Sequence, residues 1–396
     1  MPQSVTIWSL PRAFDLVKGM QAEGLEWGES YRSLGRDAIA GILRTQMVGA
    51  VDEHLDRMAA LEEADRRNGS YRRHLLTELG DIELEVPRTR RFVPTAVLRA
   101  YARRPEQVDR MILTCFVLGL STRKVGEALL PILGRPVSAT TVSNVARQLD
   151  AVVAAFHARP LTARYRVLML DGVVLARKTG AGAIRRPVLV ALGLRPDGKK
   201  EIIDFRLARS ESAAEWERFL GDLIRRGLTG DGLEMICLDG GAGLLAALPT
   251  AYPGVAIQRC WAHKIRNVLD KVRKADQPDV KADLHAVMNA ATLPQAWSAA
   301  RRFADRWEDD YPKAVRCLRD DLDELLTCWR YKTLAERRRV RTTNAIERRF
   351  REVRRRTRPM GVFSDRTSMD RILFAVFNHE NRSQGVPTPL LLTHNL

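Results

Sequence analysis

The chain is short of cysteine and of acid, and it has no long apolar run. Its five cysteines (Cys115, Cys237, Cys260, Cys317, Cys328) are odd in number, and no two are spaced C-x-x-C. That excludes a disulfide framework and a four-cysteine zinc site, and it fits reduced thiols. No stretch of about 18 apolar residues occurs and no basic-then-apolar leader is seen, so a soluble cytoplasmic protein with no membrane partner is expected. Acid is scarce: 48 Asp and Glu stand against 65 Lys and Arg, a net charge of +17 over 396 residues. A surplus of that size speaks to partners rather than to fold, and nucleic acid is the usual partner, with an anionic membrane surface as the competing reading. Arginine supplies most of the charge, and its planar fork suits phosphate oxygens and guanine edges. The length favours two to four domains.

What is present begins with helices. Residues 1–67 read as an N-terminal helical region, for oligomerisation or DNA binding, with helices at 13–20 and 31–59. Residues 68–104 read as a short β segment and basic linker. There GDIELEVP (80–87) alternates apolar and acidic residues until Pro87 ends it, and arginine runs follow at 88–91 and 103–104. Residues 105–160 hold three helices, the second capped by Ser121 and ending near Gly134. The third starts at Ser138 and turns Val142, Val145 and Leu149 inward. Its outer face carries Thr141, Asn144, Arg147 and Gln148, as the reading helix of a helix-turn-helix DNA-binding domain would. A tri-helical packing module is the alternative.

The stretch 166–175, RVLMLDGVVL, reads as a strand buried on both faces with a carboxylate at its centre. A buried unpaired charge costs several kcal/mol, so Asp171 there should meet a cation, a donor network or a metal. A tight Asp171-Gly172 hairpin turn explains it as well. Further strands follow at 186–195 and 201–208, then a helix opened by a Ser212/Glu215 capping box. A fourth strand, 234–238, ends in Asp239-Gly240-Gly241, and a short helix leads to a fifth at 255–257. Three meander strands followed by α-β-α-β is the order of a ribonuclease H-like mixed sheet, an α/β fold in which the strands carrying Asp171 and Asp239 are neighbours. Two carboxylates about 4 Å apart repel by roughly 4 kcal/mol at an effective dielectric of 20, and a divalent cation reverses the sign. Oxygen ligands favour Mg²⁺ or Mn²⁺, which can activate a water or 3′-hydroxyl against a phosphodiester.

A third acidic ligand is best supplied by Glu347 in RTTNAIERRF (341–350), where Asn344-x-x-Glu347 is also a capping box; Glu352 is the fallback. Between 264 and 335 only helical patterns occur, so an all-α insertion domain divides the catalytic core into 164–263 and 336–382. Trp297, Trp307 and Trp329 are its expected core residues. Cys260-x-x-His263 lacks a second pair for zinc, with only His285 and His379 as remote imidazoles, and suits a structural role or a polar contact near the scissile phosphate. Arg348, Arg349, Arg351, Arg354, Arg355 and Arg356 crowd the third carboxylate and read as phosphate contacts. An apolar helix at 370–380 and a flexible tail, 383–396, complete the chain.

MLDGV around Asp171, CLDGG around Asp239, RCWAHKIRN (259–267), TNAIE (343–347) and RRRTR (354–358) resemble the Mutator-type bacterial insertion-sequence transposases. The resemblance spans about 68–379. It implies a ribonuclease H-like DDE domain with a helical insertion, in which Asp171, Asp239 and Glu347 are the catalytic triad and the ligands of two Mg²⁺, with Mn²⁺ able to substitute. Cys260 and His263 match the family's C-x-x-H signature, and Lys264 and Arg266 beside them join the expected DNA contacts. Gly172, Gly240 and Gly241 leave both Asp positions unusually bare. The implied partners are double-stranded DNA, both terminal inverted repeats and target, and further copies of the chain in a homodimer or higher homo-oligomer. The implied place is the bacterial cytoplasm, at the nucleoid when DNA-bound. The expected activity is hydrolytic cleavage at transposon ends followed by in-line attack of the 3′-hydroxyl on DNA. A metal-dependent nuclease that does not join, and an inactive end-binding repressor, are the alternatives.

Overall fold

The computed structural model describes residues 27–100, 106–179, 182–360 and 366–386. The helix expected at 13–20, the pair Arg103-Arg104 and the tail beyond 386 lie outside the described residues. The chain divides into two compact units, Met1–Ala146 and Arg147–Leu396.

In the first unit a long helix, α1 (Trp27–Ala60), precedes a hairpin of β1 (Arg67–Thr77) and β2 (Gly80–Thr89). The alternation in β2 places Ile82, Leu84 and Val86 on one face, where they pack with Leu43 and Met47 of α1 and Leu75 of β1. Pro87 does not end the strand as expected. It sits opposite Ser70, where the register slips between Arg67 and Ser70, so its missing N–H costs the ladder little. Helices α2 (Thr95–Ala100), α3 (Glu106–Val117), α4 (Thr122–Leu133) and α5 (Ala139–Ala146) follow. Ser121 caps α4 by accepting from the Lys124 N–H at 3.3 Å, and Gly134 ends it at φ 72°. The helix expected from Ser138 through Leu149 stops at Ala146, leaving Arg147 and Gln148 in a break.

The second unit opens with α6 (Leu149–Ala158), then β3 (Val167–Thr179), β4 (Gly182–Leu194), β5 (Lys200–Leu207), α7 (Ala213–Arg225), β6 (Met235–Leu238), α8 (Ala242–Ala251) and β7 (Ile257–Arg259). The five strands form one mixed sheet in the order β5-β4-β3-β6-β7. Short connections make β3, β4 and β5 antiparallel, whereas the helical crossovers α7 and α8 make β6 and β7 parallel to β3. Asp171-Gly172 is not a turn: Asp171 pairs with Val190 and Gly172 with Leu189 inside a continuous strand. Leu168, Leu170, Ile236 and Leu238 pack beneath Trp216, Phe219 and Leu220 of α7 and Leu244 and Leu248 of α8. By alternation Asp171 belongs to the opposite face. Ser212 precedes α7 but its side chain makes no cap bond, and Glu215 instead pairs with Arg218 at 3.3 Å.

After β7 come α9 (Trp261–Leu269), α10 (Gln277–Met288), α11 (Leu293–Trp307), α12 (Pro312–Arg319) and the single turn α13 (Leu322–Leu325). They share a core of their own that includes Trp261, Leu284, Phe303, Trp307 and Val315, with Trp297 and Trp329 packed partly buried against it. Helices α14 (Leu334–Val340), α15 (Asn344–Met360) and α16 (Arg366–Ser383) return to the sheet. Phe377 stacks edge-on against Phe205 of β5 at 5.3 Å and Phe350 of α15 at 5.4 Å. Asn381 accepts from the Ile202 N–H at 2.8 Å and donates to its carbonyl at 3.0 Å, which answers the edge of β5 at that residue. No helix among the described residues is long and apolar enough to cross a membrane.

Candidate active site

The site is built where the parallel pair β3–β6 runs out. The ladder ends at Leu170 opposite Leu238, so Asp171 and Asp239 are the next residues of adjacent strands, at the carboxyl end of β6. Asp171 is 3 % exposed, and its Oδ2 has no hydrogen-bond partner among the described residues. Burial first, and the Asp239 charge second, push its pKa up to about 7. Asp239 is held by its own loop, Oδ1 accepting from the Gly241 N–H at 2.9 Å.

Of the bare glycines, Gly240 is required by its backbone conformation, and Gly172 faces a carboxylate side chain. A Cβ on Gly172 would stand 2.7 Å from the Glu211 carboxyl carbon, and Gly240 adopts φ +95° with the Arg259 guanidinium against it. Glu211, which no motif in the chain marks, is raised in pKa by burial and by Asp239.

Two further elements close the site. Cys260 is the cap residue of α9, and its Sγ accepts from the Thr343 N–H at 3.3 Å and the Thr343 hydroxyl at 3.5 Å. The Trp261 N–H donates to the Arg341 carbonyl at 3.0 Å, so the chain entering α15 is pinned to the start of α9 at two points. The capping box expected at Asn344 does not form: Asn344 already belongs to the helix, and Thr343, in the cap position, turns its hydroxyl to sulfur. His263, one turn along α9, has Nε2 3.6 Å from Glu347 Oε1, and Arg266 reaches the same oxygen at 3.7 Å. The Cys260 thiol beside the ring lifts the His263 pKa to about 9 against the opposing effect of burial, helped by Asp171 and Asp239. The Cys260 pKa moves the other way: burial raises it, and the His263 and Thr343 contacts outweigh that. His263 Nδ1 is buried with no hydrogen-bond partner among the described residues.

Of the three carboxylates, Glu347 lies nearest the His263 ring, at 3.6 Å, while Asp171 and Asp239 act on it through their charge. Among the described residues no three His, Cys, Asp or Glu side chains stand close enough to grip one ion together. The Glu347 side chain is 40 % exposed and drawn toward His263 and Arg266, which is where a carboxylate goes when other carboxylates repel it. The orphaned Asp171 oxygen and the hard oxygen donors around it still fit a divalent ion. Glu352, the fallback, pairs instead with Arg355 and Arg356 at 2.7 Å.

The expected DNA contacts divide sharply. Arg266, Arg348, Arg351 and Arg355 are exposed and Arg354 is half-buried. Lys264 is buried, paired with Asp321 and donating to the Cys317 carbonyl at 2.8 Å; Arg349 is buried, bonded to the Ala345 carbonyl at 3.0 Å; Arg356 is buried against Glu352. Those three cations are used inside the protein, which corrects their assignment as surface contacts. Asn144 is exposed and Thr141 half-buried on α5, while Arg147 and Gln148 are exposed in the break after it, so the four do not share a helix.

With that geometry in place, comparison with known proteins gives the class: the model of the transposase family called Mutator matches residues 17–384, and the chain belongs to that family. The relatives narrow it to insertion-sequence transposases. The chain is 32 % identical over 362 residues to the transposase of insertion sequence element IS406 from Burkholderia multivorans, covering 88 % of this chain and 89 % of that one. It is 30 % identical over 356 residues to that of IS1081 from Mycobacterium tuberculosis (87 % and 85 %), and 29 % identical over 359 residues to that of IS905 from Lactococcus lactis (90 % of each).

Proposed function

We propose that the chain is the catalytic transposase of an insertion sequence, which binds the terminal inverted repeats of its element, cuts a strand at each end and joins the freed 3′-hydroxyl to DNA. The observation that carries this is the buried, unpartnered Asp171 oxygen beside Asp239 at the ends of adjacent parallel strands. The β-meander followed by two crossover strands supports a ribonuclease H-like core, and the helices from α9 to α13 with their separate core support an insertion domain within it.

Asp171, Asp239 and Glu347 would hold two Mg²⁺, or Mn²⁺ in their place. Once bound, the ions supply an activated water or 3′-hydroxyl and stabilise the leaving oxygen of the phosphodiester. The protein's own part is positional. Buried β3 fixes Asp171, the Gly241 amide orients Asp239, and the Cys260–Thr343 contact sets the start of the helix that carries Glu347. To serve as a ligand Glu347 would exchange its His263 and Arg266 contacts for the ion, which would leave those two side chains facing phosphate oxygens. The exposed arginines of α15 extend the same positive surface.

The test is incubation of the full chain with labelled end DNA of its element, with Mg²⁺ or with excess EDTA. Metal-dependent nicking together with strand-transfer product is expected. Nicking without joining makes the protein a nuclease, and end binding with neither reaction makes it a repressor. Cleavage that survives chelation overturns the proposed chemistry.

A further inference from the structure

A groove of about 590 Å³ opens beside Glu347, between α9, α10, α14 and the start of α15. Its size falls within the roughly 300–1,000 Å³ of small-ligand sites. The rim is cationic: Arg266, Lys281, Arg338 and Arg348 line it, and Asp270 is its one carboxylate among the described residues. Lys281, Arg338 and Arg348 are exposed and have no acidic partner among the described residues. The lining is mixed: Gln277, His285, Thr342 and Asn344 are polar, and Leu269 and Met288, half-buried against the helical core, form the apolar part of the floor. Gathering like charges around an apolar floor raises the energy of the free protein, and a polyanion with an apolar face relieves it.

We infer that this groove seats one unstacked nucleotide of the DNA strand that continues past the cleavage point, its base on Leu269 and Met288 and its phosphates on the cationic rim. The inference rests on the transposase reading and deepens it by assigning where the flanking strand goes. A duplex phosphate backbone alone would need the rim but not the apolar floor. Lifting a base out of its stack costs a few kcal/mol, which contacts at both floor and rim can return.

The experiment places 2-aminopurine, whose fluorescence rises on unstacking, at successive flanking positions of an end duplex and adds the full chain. Wild type should brighten the probe at one flanking position. Lys281→Glu with Arg338→Glu, both exposed and so safe for folding, should remove that rise and lower affinity for the flanked duplex by about ten-fold or more, with a salt slope shallower by about two. Affinity for a duplex ending at the cleavage point should change by less than about two-fold, since the groove is then empty of DNA. Met288→Gln should reduce the brightening without altering the salt slope. Equal loss of affinity on both duplexes, or no brightening at any flanking position while cleavage proceeds, overturns the inference. Failure of wild type to bind or cut either duplex instead overturns the transposase reading beneath it.

Discussion

Two aspartates are almost wholly buried in the same sheet, and they have opposite surroundings. Asp204 on β5 is 2 % exposed and fully answered: Arg226 pairs with it, the His157 ring lies at 2.7 Å, and the Phe205 N–H donates at 2.7 Å. Asp171 on β3 is 3 % exposed, with a like charge as neighbour and one oxygen unanswered. A compensated buried carboxylate holds a fold together, whereas an uncompensated one opposes folding and persists where something binds it. The difference between the two sites is therefore a difference between structure and chemistry.

That contrast can be broken at either end. The largest effect should be on catalysis: Asp171→Asn should lower end cleavage by about 10³-fold or more, the scale of losing one member of a cooperative set. Its thermal stability should stay level or rise by about 1 kcal/mol, because an unmatched charge is removed. Asp204→Asn should do the reverse, costing about 1–3 kcal/mol in denaturant unfolding as Arg226 keeps only Asp222 and the charged contact with His157 is lost. An Asp204→Asn protein as stable as wild type would erase the distinction.

Divalent ion should sharpen it. At about 100 times its dissociation constant Mg²⁺ should stabilise wild type by about 2.7 kcal/mol and Asp171→Asn by much less, in melts with and without the ion. The smallest expected effect separates the cations of the same neighbourhood. Arg351→Ala should flatten the salt dependence of DNA binding by about one unit of slope, whereas Lys264→Met should leave the slope alone and lower stability.

Much of the second unit was legible in the chain. Apolar runs punctuated by Gly and Pro mark the strands, and their order places Asp171 beside Asp239. Asp171-Gly172 was ambiguous between strand and turn because the dipeptide satisfies both; pairing with Val190 and Leu189 decides it. The arginine run mixes inward and outward cations, and its charge alone does not separate them. Ile346, Arg349, Phe350, Val353 and Arg356 recur at helical spacing and all five are buried, as are Trp261, Lys264, Ile265 and Val268. That spacing, already present in the sequence, marks which cations turn inward. The Cys260–Thr343 contact had no such signal, since it joins residues 83 apart through a backbone amide. Both misplaced caps, at Ser212 and Asn344, show that a capping motif fixes the start of a helix to within a residue while tertiary contacts decide where the side chain goes.

The most direct measurement is the binding of Mn²⁺, followed by electron paramagnetic resonance as free ion is lost on titration into the full chain with end DNA. Wild type should take up the ion, and Asp171→Asn, Asp239→Asn and Glu347→Gln should each lose most of that uptake while still binding DNA. Equal uptake by wild type and all three variants would contradict the claim that these carboxylates form a metal site.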